Sequence, residues 1–119
     1  PQHDARLALR REDGVPVARL EGDVGLARVP ELREALVAAV EPSDRGLALD
    51  LTDVDYIDSA GLHLLHDLGR TLVARGQSLR VVAGAGCAVR RVLELVGMTQ
   101  AVPLQDTVAT AVAALAAPG

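Results

Sequence analysis

Short apolar runs of strand length alternate with longer stretches of helical spacing, and that order constrains the fold of this chain more than any other feature. The first two runs, Arg6 to Arg11 and Val15 to Glu21, are separated by Glu12-Asp13-Gly14. Asp-Gly is a strong hairpin signal, so they are read as two antiparallel strands. In the second strand Val15, Val17 and Arg19 face one way, and Ala18 and Leu20 the other. Pro16 suits a strand start or an exposed edge. Gly22-Asp23-Val24-Gly25 reads as a loop. A helix is predicted over Val29 to Glu41, where Leu32, Leu36 and Val40 recur every fourth residue and Pro30 fits the first turn. Pro42 to Gly46 ends it.

Leu47-Ala48-Leu49-Asp50-Leu51 is apolar enough for a central strand. Asp53 to Asp58 is read as a connection. A second helix is predicted from Ala60 to Ala74, with Leu62, Leu65, Leu68, Leu72 and Val73 inward and Gly76 as its C-terminal cap. Leu79 to Ala83 is a further strand, and Gly84-Ala85-Gly86 turns the chain. Ala88 to Val96 is a third helix with Val89, Val92, Leu93 and Val96 inward, stopped by Gly97. Ala101 to Leu104 is a last short strand and Thr107 to Ala116 a last helix. The expectation is one α/β domain over residues 1–119: an N-terminal β-hairpin, then alternating helices and strands. Its sheet is mixed, four- to five-stranded and largely parallel, with about four helices.

The 119 residues suit one compact domain, and half of them are hydrophobic. With no Phe or Trp, and Tyr56 the single aromatic, the core must be built from Leu, Val, Ala and Ile. A net charge of −4 and the lack of stacking aromatics argue against nucleic-acid binding. All twelve basic residues are Arg, which excludes any mechanism that needs a lysine. Cys87 is alone, as in a reducing compartment, and the cytoplasm is the expected location. No signal peptide or membrane insertion is expected, because the most apolar tract, Thr107 to Ala117, is too short to span a bilayer.

One stretch, Asp55-Tyr56-Ile57-Asp58-Ser59-Ala60-Gly61-Leu62, places a serine between a predicted connection and a predicted helix. Ser at a helix start commonly caps a backbone N–H, and Asp58 can take that role instead. The same place suits an anion, because N–H groups at a helix start are unpaired and the dipole is favourable. A phosphate on Ser59 can be held there, and Gly61 would let it come close. Ser59, His63 and Asp67 fall at i, i+4 and i+8, with the composition of a hydrolase triad. Side chains in one helical stripe project side by side, however, whereas a triad must converge beside an oxyanion hole. His66 is a further candidate base with the same weakness.

Asp50, Asp53, Asp55 and Asp58 match no calcium loop and read as a solvated acidic rim. Such a rim makes added charge on Ser59 repulsive. Gly84-Ala85-Gly86 is a weak phosphate-loop candidate. His3 and His66 read as surface residues, and Cys87 as a small core residue. No metal or cofactor is expected, although nucleotide binding by the fold itself is a further reading.

Ile57-Asp58-Ser59-Ala60-Gly61-Leu62 resembles the phosphorylation motif of STAS domains of the anti-sigma factor antagonist family. Leu20 to Val24 resembles the family's segment before its first helix, and Leu47 to Asp55 its apolar strand and acidic turn. Val82 to Met98 resembles its fourth strand and following helix. The resemblance implies a binding protein rather than an enzyme. Its unphosphorylated form would capture an anti-sigma factor that is also a serine kinase of the histidine-kinase-like ATPase fold, and so free the sigma factor. Phosphorylation of Ser59 would end the capture, and a metal-dependent serine phosphatase would reverse it.

The resemblance further implies a partner surface at Asp58, Ser59, Ala60, Gly61, Leu62 and His63, bordered by Asp23 in the Gly22–Gly25 loop and by Cys87 and Arg90. Three departures stand out. Many members carry a second hydroxyl where this chain has Ala60, leaving Ser59 as the acceptor. Many have a small residue where His63 stands, one turn from Ser59. Relatives often carry an acid where the loop ends in Gly25. The same fold also serves as a constitutive binding subunit of lipid-transport or stressosome complexes, which is the alternative reading.

Overall fold

The computed structural model describes residues 4–116. Among them the elements are β1 Arg6–Glu12, β2 Val15–Val24, α1 Val29–Ala38, β3 Gly46–Ile57 and α2 Ser59–Ala74. Then come β4 Ser78–Val82, α3 Ala88–Leu95, β5 Leu104–Gln105 and α4 Val108–Ala116. The expected α/β alternation is therefore present, with a five-stranded sheet and four helices.

Asp13 and Gly14 both take positive φ, 52° and 79°, as the tight turn between β1 and β2 requires. The sheet order is β1-β2-β3-β4-β5. β1 pairs antiparallel with β2, and every later neighbour is parallel. Parallel neighbours need crossovers, which α1, α2 and α3 provide. The loops that leave β2, β3, β4 and β5 consequently emerge at one end of the sheet, the usual place for binding in such folds.

The sheet has a different covering on each face. On one, Leu47, Leu49 and Leu51 of β3 and Ala18 and Leu20 of β2 pack with Leu32 and Leu36 of α1, Leu64, Leu65, Leu68 and Leu72 of α2, and Val89 and Leu93 of α3. On the other, Val15, Val17, Ala48 and Val82 meet Ala111, Val112 and Leu115 of α4. The split follows strand alternation, and it bears out the expected two-way facing of β2. Pro16 lies near the start of β2, beside β1 rather than on a free edge.

Several expectations need correction. Gly22-Asp23-Val24 is not a loop, since β2 runs on to Val24 beside β3, with a register shift between Gly22 and Asp23. Asp53 to Ile57 is not a connection but the second half of β3, held because Val54 and Ile57 turn into the core. The helix α1 closes at Ala38, not Glu41. In α2 the buried stripe includes Gly61, Leu64 and Gly69, whereas Val73 is 69% exposed. Val96 lies just past the end of α3 and is also exposed. The last strand is shifted to Leu104–Gln105.

Gly76 does cap α2. Its N–H donates to Val73 O, and the Gln77 N–H donates to Leu72 O, the paired bonds of a glycine-terminated helix. The expectation for His3 lies outside the described residues.

Candidate partner-binding site

At the end of β3 the chain turns sharply into α2, and Asp58 controls the turn. Its backbone is extended and it occupies the N-cap of α2. Its Oδ1 accepts from the Gly61 N–H at 2.9 Å, which settles which residue caps the helix. Its Oδ2 accepts from the Leu26 N–H at 3.1 Å. Its own N–H donates to Val24 O at 3.2 Å. One carboxylate thus ties the β2–α1 loop to the start of α2.

Ser59 is the first helical residue and is exposed. Because Asp58 serves as the cap, the Ser59 hydroxyl has no structural duty at the helix start. Gly61 is buried, and the reason is packing rather than room for an anion. A Cβ there would lie 2.6 Å from Ile57 Cγ1 and 2.7 Å from Val24 O. Only glycine lets α2 start this close to the ends of β2 and β3. Leu62 is half-buried against the core, Ala60 is half-buried and His63 is exposed. Gly25 lies against the same carboxylate, since a Cβ on it would be 3.0 Å from Asp58 Oδ2. An acidic side chain at this position would crowd Asp58, which gives a physical reason for a glycine here.

Two large apolar side chains flank this turn without being buried: Leu26 is 72% exposed and Tyr56 58% exposed. Together with Asp4, Asp23, Gly25 and Asp58 they line a shallow cleft of about 140 Å³. Asp23 sits there half-buried, paired in register with Tyr56. Neither Leu26 nor Tyr56 was marked by the sequence reading. The signal for Tyr56 was available: it is the only aromatic, and no buried position claims it.

The expected acidic rim is not one feature. Asp50 is buried under the α4 side and accepts from Thr52 N and Oγ1 at 3.0 and 2.6 Å. Asp53 takes Arg19 Nε at 3.0 Å, and that hydrogen bond holds the guanidinium above its usual value. Asp55 is exposed and Asp58 is the cap. Burial of Asp50, the Arg19 bond of Asp53 and the capping role of Asp58 separate the four acids into different surroundings.

The hydrolase arrangement has no geometric support. Ser59, His63 and Asp67 are all exposed along one helix, and Asp67 is engaged by Arg33 of α1 at 3.1 Å. Around α3, Cys87 is half-buried at the N-cap, with no side-chain cap bond. Arg90 Nη1 donates to Ala83 O at 3.2 Å and to Asp106 Oδ1 at 2.5 Å. The Asp106 hydrogen bond raises the Arg90 pKa and locks α3 to the β5–α4 loop. Among the described residues no hydrogen bond links Cys87 or Arg90 to the Asp58–Ser59 turn. No helix there is long and apolar enough to cross a membrane.

Known proteins share the sequence pattern and the fold. The STAS domain profile matches residues 6–111. A protein named as an anti-sigma factor antagonist, BtrV of Bordetella bronchiseptica, is 32% identical over 109 residues, covering 92% of this chain and 93% of BtrV. The anti-sigma-F factor antagonist RsfB of Mycobacterium tuberculosis is 29% identical over 96 residues, covering 80% and 76%. An anti-sigma factor antagonist from Mycobacterium paratuberculosis superimposes with a TM-score of 0.80 at 29% identity, over 93% of each chain. The unphosphorylated form of SpoIIAA shares the fold, with a TM-score of 0.73 at 19% identity over 92% and 95%. A five-stranded sheet with β1 antiparallel, a serine at the start of α2 and a profile match across nearly the whole chain lead to one conclusion: the protein belongs to the STAS domain family, among relatives named as anti-sigma factor antagonists.

Proposed function

We propose that this protein is an anti-sigma factor antagonist whose binding is switched at Ser59. Its unphosphorylated form binds an anti-sigma factor that is a serine kinase of the histidine-kinase-like ATPase fold. Phosphorylation of Ser59 ends the binding, and a metal-dependent serine phosphatase restores it. The protein acts in the cytoplasm as a single binding domain over residues 1–119, without catalysis of its own.

The observation that carries this reading is the division of labour at the α2 start. Asp58 caps the helix, so the exposed Ser59 hydroxyl is free to accept a phosphoryl group. The partner surface comprises Asp58 to His63 and Asp23, with Leu26 and Tyr56 as apolar anchors and the α3 start at Cys87 and Arg90 as its border. Exposed aliphatic and aromatic side chains beside fixed polar groups suit a protein interface. A phosphate adds close to two negative charges next to the Asp58 carboxylate. Disrupting one buried charged contact costs roughly 2–5 kcal/mol, about 30-fold to several-thousand-fold in affinity.

Titration calorimetry against the anti-sigma factor of the same host tests the proposal. The wild type and Ser59→Ala bind alike, and Ser59→Glu binds at least about 30-fold more weakly. Tyr56→Ala lowers affinity while leaving the thermal midpoint in place. Equal binding by Ser59→Glu contradicts the switch.

A further inference from the structure

Among the described residues the strand β1 has a neighbour on one side only, so seven residues of backbone form a free sheet edge. Long free edges are prone to pairing unless blocked. The register fixes which groups point outward. Glu12 and Val15 flank the two-residue turn and form its closing hydrogen-bonded pair, and Arg10–Val17, Ala8–Arg19 and Arg6–Glu21 continue the same set. Leu7, Leu9 and Arg11 therefore direct their N–H and C=O groups to the open edge. Leu9 is the midpoint of the strand, and its side chain is 52% exposed.

We propose that two copies of this chain pair their β1 strands antiparallel about a two-fold axis at Leu9, joining two five-stranded sheets into one. This register satisfies all three outward residues on each strand. Leu9 faces Leu9 of the second copy, and Leu7 faces Arg11. On the other side of the sheet Arg6 faces Glu12 of the second copy, twice by symmetry, and these contacts join the exposed pairs Arg6–Glu21 at 3.6 Å and Arg10–Glu12 at 3.2 Å within each chain. Arg11, opposite Leu7, is already neutralised within its own chain by Glu41 and Asp44, at 2.7 and 2.8 Å, and Arg10, opposite Ala8, by Glu12 at 3.2 Å. The strand is self-complementary in hydrogen bonding, in apolar contact and in charge, which identifies a second copy as the partner that fits it. The contact is small, so the dimer is weak and depends on concentration. This inference is independent of the role proposed for Ser59.

Sedimentation velocity of the full chain across a wide concentration range is the test. The wild type is expected to shift from monomer toward twice its mass as concentration rises. Arg6→Glu sets like charges opposite each other at both symmetric pairs and weakens the dimer about tenfold. Glu12→Arg does the same, and the double variant R6E/E12R restores the wild-type association. Leu9→Pro removes an outward N–H that β2 does not use, and yields a folded monomer by circular dichroism. A wild type that stays monomeric at every concentration overturns the proposal. So does a dimer indifferent to Leu9→Pro and to the charge reversals.

Discussion

Each helix of this protein follows the C-terminal end of a strand with a parallel neighbour, and α2 and α3 start in different ways. At α2 the residue before the helix is Asp58, which holds the Gly61 N–H, while Gly61 itself is wedged against β2 and β3. At α3 the corresponding residue is Cys87, which makes no cap bond, and a Cβ on nearby Gly86 would meet nothing within 4 Å. The α3 start is instead anchored from within the helix by Arg90, through Ala83 O and Asp106. The contrast bears on the proposal that Ser59 is modified. At α2 the neighbour Asp58 caps, Gly61 is tightly seated and the Ser59 side chain is left exposed. At α3 no side chain caps, and the glycine beside the helix start is loosely packed.

Substituting the glycines probes this contrast most strongly. Gly61→Ala forces a methyl group into backbone and side-chain atoms closer than 3.0 Å, and overpacking of that kind costs about 1–3 kcal/mol. Gly86→Ala enters open space and changes stability by less than about 0.5 kcal/mol. Urea unfolding of the two variants side by side measures the difference, and equal losses would break the comparison.

The caps come next. Asp58→Ala removes a helix cap and the tie to the Leu26 N–H, with an expected loss of about 1–2 kcal/mol. Cys87→Ala removes no cap and costs about 0.5 kcal/mol. Amide exchange sharpens the comparison: Asp58→Ala speeds exchange at Gly61 and Leu26. Arg90→Ala speeds exchange in the first turn of α3 and leaves the α2 start unchanged.

The smallest effect lies away from both helix starts, in the α1–β3 loop. The hydrogen bond from Arg11 holds the Asp44 carboxyl below its ordinary value. A lowered folded-state pKa stabilises the fold fully above the ordinary carboxylate range and is lost as pH falls through the lower folded value. The Asp44 carboxylate is shielded, but Arg11 is partly exposed and screened by solvent, which keeps the contribution to about 1 kcal/mol or less. Asp44→Asn is therefore slightly less stable than wild type near neutral pH, and the two converge in acid. Urea midpoints measured from neutral pH to pH 2 check this.

Much of the architecture was legible in the sequence. The Asp13-Gly14 turn, the Leu32–Leu36–Val40 spacing and the Leu47–Leu51 run placed the hairpin, α1 and the central strand because each is a local signal. The second halves of β2 and β3 were hidden, since Gly22 and the acids at 53 and 55 resemble loop composition. Those residues stay in strands because β2 and β3 pair with each other, which no local signal reports. Val96 is exposed because α3 ends at Leu95, and Val73 because the buried stripe of α2 ends at Leu72. At the site, the sequence marked Ser59 but left open whether Asp58 or Ser59 caps the helix. It also gave Gly61 a role toward phosphate, whereas the strand ends explain it. Leu26 escaped notice because an exposed apolar residue and a buried one look the same in sequence, whereas Tyr56 stood out as the single aromatic.

The central claim is that Ser59 is the modifiable side chain of this turn. Its most direct test is the intact mass of the purified protein after incubation with ATP and extract of its native host, beside a Ser59→Ala copy. The account predicts one added phosphate on the wild type and none on Ser59→Ala. Phosphate on Ser59→Ala, or none on the wild type while an established antagonist is labelled in the same extract, would contradict it.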